Sequence, residues 1–239
     1  MENQLYTLAN KSGPDALPKS RADYRYERKF RTTSHGLNEL IEIIRSSTGM
    51  FSESYSSRIV NSIYLDTLEQ DFCSDNLAGI STRIKPRIRW YGPRQSSIDV
   101  SKLELKYKVN LLGTKASFPF PPFSLGASFH NDMIDGLSSL CDAFPTLDFL
   151  KELEPSLLIT YHRRYFSSSD HQYRITIDRN LKYYPYSFFG PTCVSPIEDD
   201  AIILELKYSA DATNPDWIID SLPFRFTKSS KYVVGVLHS

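Results

Sequence analysis

From Tyr24 onward, polar and apolar positions alternate in short runs, interrupted by a few segments of helical period. Leu37, Leu40, Ile41 and Ile44 recur at i, i+3, i+4 and i+7, which gathers them on one helix face. Thr33 or Ser34 is placed to cap that helix, and Gly49 lies just past its end. A second short helix is predicted after Asp66-Thr67, with Leu68, Phe72 and Leu77 on one side. A third helical region over 131–153 breaks near Pro145. A fourth opens at Asn214-Pro215, where Asn caps and Pro fits the first turn. Residues 1–21 are polar and without periodicity; they read as a flexible arm, leaving 22–239 as the folded domain.

The strands carry more chemistry. Period-two alternation sends every second side chain to one face. Glu27 and Lys29 share a face, as do Arg83, Lys85, Arg87 and Arg89, with Ile84 and Ile88 behind them. Glu104, Lys106 and Lys108 alternate with Leu103, Leu105 and Tyr107. Arg174, Thr176 and Asp178 alternate with Ile175 and Ile177, and Glu205 and Lys207 with Leu204, Leu206 and Tyr208. The same period puts Ser229 and Lys231 opposite Ser230 and Tyr232 on a last strand. A carboxylate and a base stand two apart in Glu27/Lys29, Glu104/Lys106 and Glu205/Lys207. Two arrangements fit this pattern. One is an antiparallel sheet with its charged face in water. The other is a closed barrel of about eight strands whose lumen is charged and whose apolar outside is covered by helices.

Composition narrows the function classes. Lys+Arg and Asp+Glu both number 28, so the net charge is zero, which argues against a protein that coats nucleic acid. Three scattered cysteines (Cys73, Cys141, Cys193) form no CxxC and point to a reducing compartment. The N-terminus lacks the pattern of a signal peptide, and no run approaches the ~20 apolar residues of a spanning helix. A soluble cytoplasmic protein is expected, held at a membrane only through a membrane protein partner. The five histidines show no zinc spacing, and Gly113-Thr114-Lys115 lacks the upstream glycine of a P-loop. Lys115 is still a candidate for a phosphate contact at a lumen mouth. Tyr64, Trp90 and Tyr91 form either an aromatic wall for adenine or part of an outer core.

The segments YRYERKF (24–30), NSIYLDT (61–67), RIRWYG (87–92), LELK (103–106), YHRRYF (161–166), RITID (174–178), LELK (204–207) and SSKY (229–232) occur in that order. This set resembles the VTC domain, the polyphosphate polymerase domain of the vacuolar transporter chaperone complex, within the triphosphate tunnel metalloenzyme (CYTH-like) superfamily. The resemblance implies an α+β fold, a closed antiparallel β-barrel forming a charged tunnel with helices outside. It implies transfer of the ATP γ-phosphoryl group to a growing polyphosphate chain, with release of ADP and a divalent cation, Mn2+ or Mg2+, as cofactor. Lys29, Arg87, Arg89, Lys106, Arg174, Lys207 and Lys231 would then neutralise the transferred group, and Arg83, Lys85, Lys108, Arg163, Arg164 and Ser230 would bind phosphate. Alternation admits only one of Arg163 and Arg164 to the lumen, and Ser230 reaches it only through a turn. Glu205 is the first choice as metal ligand, with Glu27 and Glu104 as additions; the bland alternative pairs each with a tunnel Lys or Arg. Two other functions share these residues. A hydrolase would cleave triphosphate or a nucleoside triphosphate with water, and a non-catalytic module would only bind polyphosphate. Binding of nucleic acid is not expected.

Overall fold

A computed structural model describes residues 23–186, 195–212 and 215–238. Its elements are β1 (Arg25–Thr32), α1 (Leu37–Ser46), β2 (Ser52–Asp66), α2 (Asp71–Ala78), β3 (Thr82–Tyr91), β4 (Ser97–Ile98), β5 (Ser101–Val109), β6 (Leu112–Phe120), β7 (Phe123–Ser124) and α3 (Phe129–Ala143). A 3-10 helix (Pro145–Glu152), β8 (Glu154–Ser167), β9 (Tyr173–Pro185), β10 (Ile197–Asp199), β11 (Ile202–Ser209), α4 (Pro215–Ser221) and α5 (Lys231–Leu237) complete the order. The expected arm, Asn214 and Cys193 lie outside the described residues.

Eight strands pair in the order β9-β11-β1-β6-β5-β3-β2-β8, and β8 pairs again with β9, so the antiparallel sheet closes into a ring. β10 adds to β9 from outside the ring. The closed arrangement, and not the open sheet, is therefore the one adopted, with helices packed around it. The join between β1 and β6 is short, with only Arg25 opposite Gly113 and Tyr26 opposite Leu112.

Burial explains the closure. The outward rows Ile84, Ile88, Leu103 and Leu105 pack with Phe129, Met133 and Leu137 of α3. On the other side, Leu40, Ile41 and Ile44 of α1 cover Ile175, Ile177, Leu204 and Leu206. A third apolar group lies on the inner face: Val60, Leu157, Ile159, Tyr161, Leu181, Tyr183 and Ile203 surround Tyr232 and Val233 of α5. α5 thus enters one end of the ring against β8 and β9. A Cβ on Gly235 would collide with the Leu157 and Tyr183 side chains, so only glycine permits this approach. The inner face of β9 changes parity on the way. Asp178 lies opposite Arg163, whereas Tyr183 lies opposite Ile159, and the register shifts between, where Asn180 has φ of 54°. The extra residue of this bulge turns Leu181 and Tyr183 inward alongside Asp178.

Several elements differ from the sequence expectation. Gly36, not Thr33 or Ser34, begins α1, and the Glu39 side chain accepts from its N–H. α2 starts only at Asp71, after Gln70 in the left-handed region, so Phe72 is buried while Leu68 and Leu77 are exposed. Residues 229–232 form no strand: Ser230 caps the first turn of α5, its Oγ accepting from Val233 N–H. Among the described residues no helix is long and apolar enough to cross a membrane.

Candidate functional site

Cross-strand register decides which charges meet. Lys85 stands opposite Lys106, Arg87 opposite Glu104, and Arg83 opposite Lys108. Across the ring Lys29 stands opposite Glu205, and Glu27 opposite Lys207. Directly opposed residues leave a sheet on the same side, so all these groups share the enclosed space inside the ring.

The ion pairs confirm the convergence. Both oxygens of Glu104 are engaged, one by Arg87 (2.7 and 2.9 Å) and one by Lys115 (2.5 Å), with Arg89 3.6 Å away. Lys106 bonds Glu27 at 2.6 Å, spanning from β5 to β1 across the short β1–β6 join. Arg163 donates to both oxygens of Asp178 at 2.6 and 2.7 Å, and Lys231 reaches the same carboxylate at 2.6 Å. Arg89 donates to Ser62 Oγ and to the Tyr161 hydroxyl, which lies on the inner face. Lys29 donates to Ser229 O, and Lys85 to Ser230 Oγ, so the start of α5 is part of the same chamber.

The carboxylates are held ionised. Burial works against the charge of Asp178, but Arg163 and Lys231 overcome it and bring its pKa down to about 2. Burial opposes Glu104 as well, and Arg87, Arg89 and Lys115 hold it far below the ordinary range. The surplus positive charge shows at the lysines. Burial, then the neighbouring Lys29, Lys106 and Arg83, push Lys85 well below an ordinary amine. Lys106 is also lowered, by burial first, and Lys108 falls to about 8 for the same reason. Three polar atoms in this region are buried without a hydrogen-bond partner among the described residues: Arg83 Nε, Thr176 Oγ1 and Ser229 Oγ. A lumen with under-compensated cations and unpartnered donors is built for an anionic, oxygen-rich guest.

The two arginines of the YHRRYF segment separate cleanly. Arg163 is buried inside, whereas Arg164 leaves on the outer face and pairs bidentately with Glu53 at 2.7 and 2.9 Å. Arg174 lies opposite Lys207 at an exposed end of β9. Lys108 donates to Leu111 O and Arg83 to Ile80 O, both at the rim beside β3 and β5. Trp90 belongs to the outer core, Tyr91 is exposed, and Tyr64 faces inward, stacked on Tyr232 at 4.7 Å. Sequence reasoning gave Asp178 no partner and passed over Tyr161; both follow only once β8 is known to pair with β9 and β2.

The acidic groups differ in fitness for a cation. Glu104 has no free oxygen, since Arg87 and Lys115 occupy both. Glu205 is buried, yet its contacts are loose: Lys207 at 3.3 Å, Lys29 at 3.7 Å and Arg163 at 3.9 Å. Glu27 lies diagonally from it on β1, and the unpartnered Thr176 hydroxyl stands opposite it on β9. No group of three His, Cys, Asp or Glu side chains gathers as a metal cage among the described residues. One or two carboxylates completed by phosphate oxygens and water is, however, the habit of Mg2+, and Glu205 with Glu27 fits that habit.

The closed antiparallel ring with a cation-lined lumen and inward carboxylates is the architecture that the VTC resemblance implies. The chain belongs to the VTC domain family, whose model matches residues 24–239. No curated protein matches the sequence. Among solved structures, a proposed adenylate cyclase from Vibrio parahaemolyticus is similar at 10% identity and a TM-score of 0.51, covering 91% of this chain and 99% of that one. The PH1819 protein of Pyrococcus horikoshii OT3 is similar at 13% identity and a TM-score of 0.47, covering 90% and 99%. A proposed adenylate cyclase from Bacillus halodurans is similar at 14% identity and a TM-score of 0.47, covering 89% and 97%.

Proposed function

We infer that the protein is a polyphosphate polymerase, moving the γ-phosphoryl group of ATP onto the end of an inorganic polyphosphate chain and releasing ADP. One observation carries the reading: the cation row of β3 runs from Arg89 through Arg87 and Lys85 to Arg83, and Lys85 within it, only partly offset by Glu27, forms no ion pair among the described residues. The six residue steps from Arg83 to Arg89 span about 20 Å, more than a triphosphate alone needs, and Lys106 and Lys108 extend beside it.

No protein nucleophile is needed, because the terminal oxygen of the acceptor is already anionic near neutral pH. That oxygen attacks the γ-phosphorus while the bond to the β-phosphate oxygen breaks, and ADP carries away the electron pair. The residues supply alignment and charge neutralisation. Arg87 and Arg163, whose forks are held by Glu104 and Asp178, present guanidinium charge to the phosphate oxygens, as does Arg89. Lys29, Lys106, Lys207 and Lys231 place point charges around the same space, and Arg174 draws anions in at the mouth. Ser230 adds a hydroxyl, and Arg83, Lys85 and Lys108 hold the acceptor chain. Glu205 and Glu27 would hold Mg2+ or Mn2+, which supplies charge neutralisation between phosphate oxygens. Glu104 acts by fixing Arg87, and Arg164 has no part. The setting proposed is cytoplasmic, with a membrane protein partner to draw the product away.

The test is to incubate the purified protein with ATP, Mn2+ or Mg2+ and a short phosphate primer, then size the products on a gel. Long chains and ADP in equal turnover are expected. Orthophosphate without chains would replace this reading with the hydrolase, and ATP binding without turnover would leave a binding module.

A further inference from the structure

Four side chains at the end of β2, β3 and β8 remote from α5 have no role in phosphoryl transfer as described. Arg58 of β2 stands opposite Arg163 of β8, so it leaves the sheet on the inner side. Arg163 is neutralised by Asp178. No ion pair with a carboxylate is found for Arg58 among the described residues; its surroundings are aromatic. Its guanidinium carbon lies 5.5 Å from the ring centre of Tyr55, 5.8 Å from Tyr165 and 5.9 Å from Tyr91.

These rings are held in place yet left open. Tyr55 and Tyr91 are 56% and 52% exposed, and Tyr55 meets Tyr165 edge-on at 5.8 Å. Tyr91 is followed by Gly92 at φ of 99°, whose N–H donates to Ile59 O and whose carbonyl accepts from Asn61 Nδ2. Large aromatic surface pinned in water beside an unpaired guanidinium wants a flat, electron-rich partner. Depth points to which one. Tyr91 is two residues beyond Arg89, and Tyr165 two beyond Arg163, so the rings stand about 7 Å outward of the last buried guanidiniums. A nucleoside triphosphate with its terminal phosphates at Arg87, Arg89 and Arg163 places its nucleoside at that distance.

We propose that the rim of Tyr55, Arg58, Tyr91 and Tyr165 seats the nucleobase of the donor nucleoside triphosphate. The base stacks on tyrosine, and Arg58 meets the phosphate nearest the sugar. The proposal rests on the reading of the tunnel as a triphosphate site, and it gives the lumen a direction. The nucleoside occupies the β2–β3–β8 mouth, leaving the Arg83–Lys108 rim for the phosphate chain.

Calorimetric titration of wild type and the Tyr55→Leu/Tyr91→Leu variant with ATP and with inorganic tripolyphosphate, both with Mg2+, tests it. Both tyrosines are exposed, and thermal melting verifies that the variant is folded. The expected result is a loss of about 5- to 50-fold in ATP affinity, the scale of one base–aromatic stack, with tripolyphosphate affinity unchanged. Unchanged ATP affinity, or equal weakening of both ligands, would overturn the proposal. A wild type that binds ATP through these tyrosines but makes no chains would sink the polymerase reading and leave the nucleobase seat standing. A wild type that makes chains yet loses no ATP affinity in the variant would do the reverse.

Discussion

Lys85→Met should move the empty and the loaded protein in opposite directions. Lys85 sits across from Lys106 on β5, with Lys29 and Arg83 as further cationic neighbours, and among the described residues its side chain donates to Ser230 Oγ at 3.1 Å. A like-charge pair about 7 Å apart costs about 2 kcal/mol at an effective dielectric near 20. Glu27 offsets part of the sum, so the net relief on removing the charge is on the order of 1–2 kcal/mol. For a chain of this size that raises the melting temperature by about 2–8 °C. Methionine keeps the stem, so packing is preserved. With tripolyphosphate present the sign reverses, because a charge-assisted contact of about 1.5–3 kcal/mol is lost, which weakens binding by about 10- to 150-fold. The ligand-induced rise in melting temperature should shrink accordingly. The pH dependence follows from the same imbalance. Folding lowers the pKa of Lys85 and Lys106 and brings Lys108 to about 8. The unfolded chain therefore holds more protons over the window from about pH 8 up to the ordinary lysine value, and the empty protein gains stability as pH rises through it. Differential scanning fluorimetry with and without tripolyphosphate reads both effects. A Lys85→Met protein that melts lower when empty, or binds tripolyphosphate as tightly as wild type, would refute the account of a surplus cation waiting for an anion.

Arg87→Ala should leave the fold intact, since Glu104 keeps Lys115 at 2.5 Å and Arg89 at 3.6 Å, yet slow turnover by at least ~100-fold, as for loss of one transition-state donor; steady-state kinetics checks it. Glu205→Gln should abolish the response of activity to Mn2+ or Mg2+ while melting close to wild type, and an unaltered metal titration would remove Glu205 as ligand. Acid should destabilise the protein: Asp178 drops to about 2 on folding, so its contribution of about 2 kcal/mol is complete above the unfolded value near pH 4 and disappears as pH falls toward 2. Asp66, raised by burial, runs the other way and loses stability as pH rises through its folded value, so a melting temperature flat across pH 2–4 would mean that Asp178 is not ionised in the fold.

Much of the ring was legible because period two needs no knowledge of partners. The row Arg83, Lys85, Arg87, Arg89 could only share a face, and it does. What alternation could not give was pairing. Glu104 was a metal candidate until β3 was placed beside β5, which delivered Arg87 to it. Arg163 and Arg164 were indistinguishable until β9 fixed the face of β8. Residues 229–232 read as a strand from their alternation, and tertiary context overrode that pattern. The Ser230 cap and the tight seat of Gly235 against Leu157 and Tyr183 make the chain a helix from Lys231. Leu68 and Leu77 part company with Phe72, with which the pattern groups them on one side, because nothing in the sequence signals the left-handed turn at Gln70 that delays α2.

The additional residue in β9 at Asn180 has an electrical result as well as a steric one. By turning Leu181 and Tyr183 inward it lines part of the interior with grease, directly beside Asp178, Arg163 and Lys231. That lining works as insulation. Mobile ions screen groups in open water but are largely excluded here, so the inner guanidinium and ammonium groups keep their pull at salt concentrations that silence Arg174 and Lys108 at the two ends.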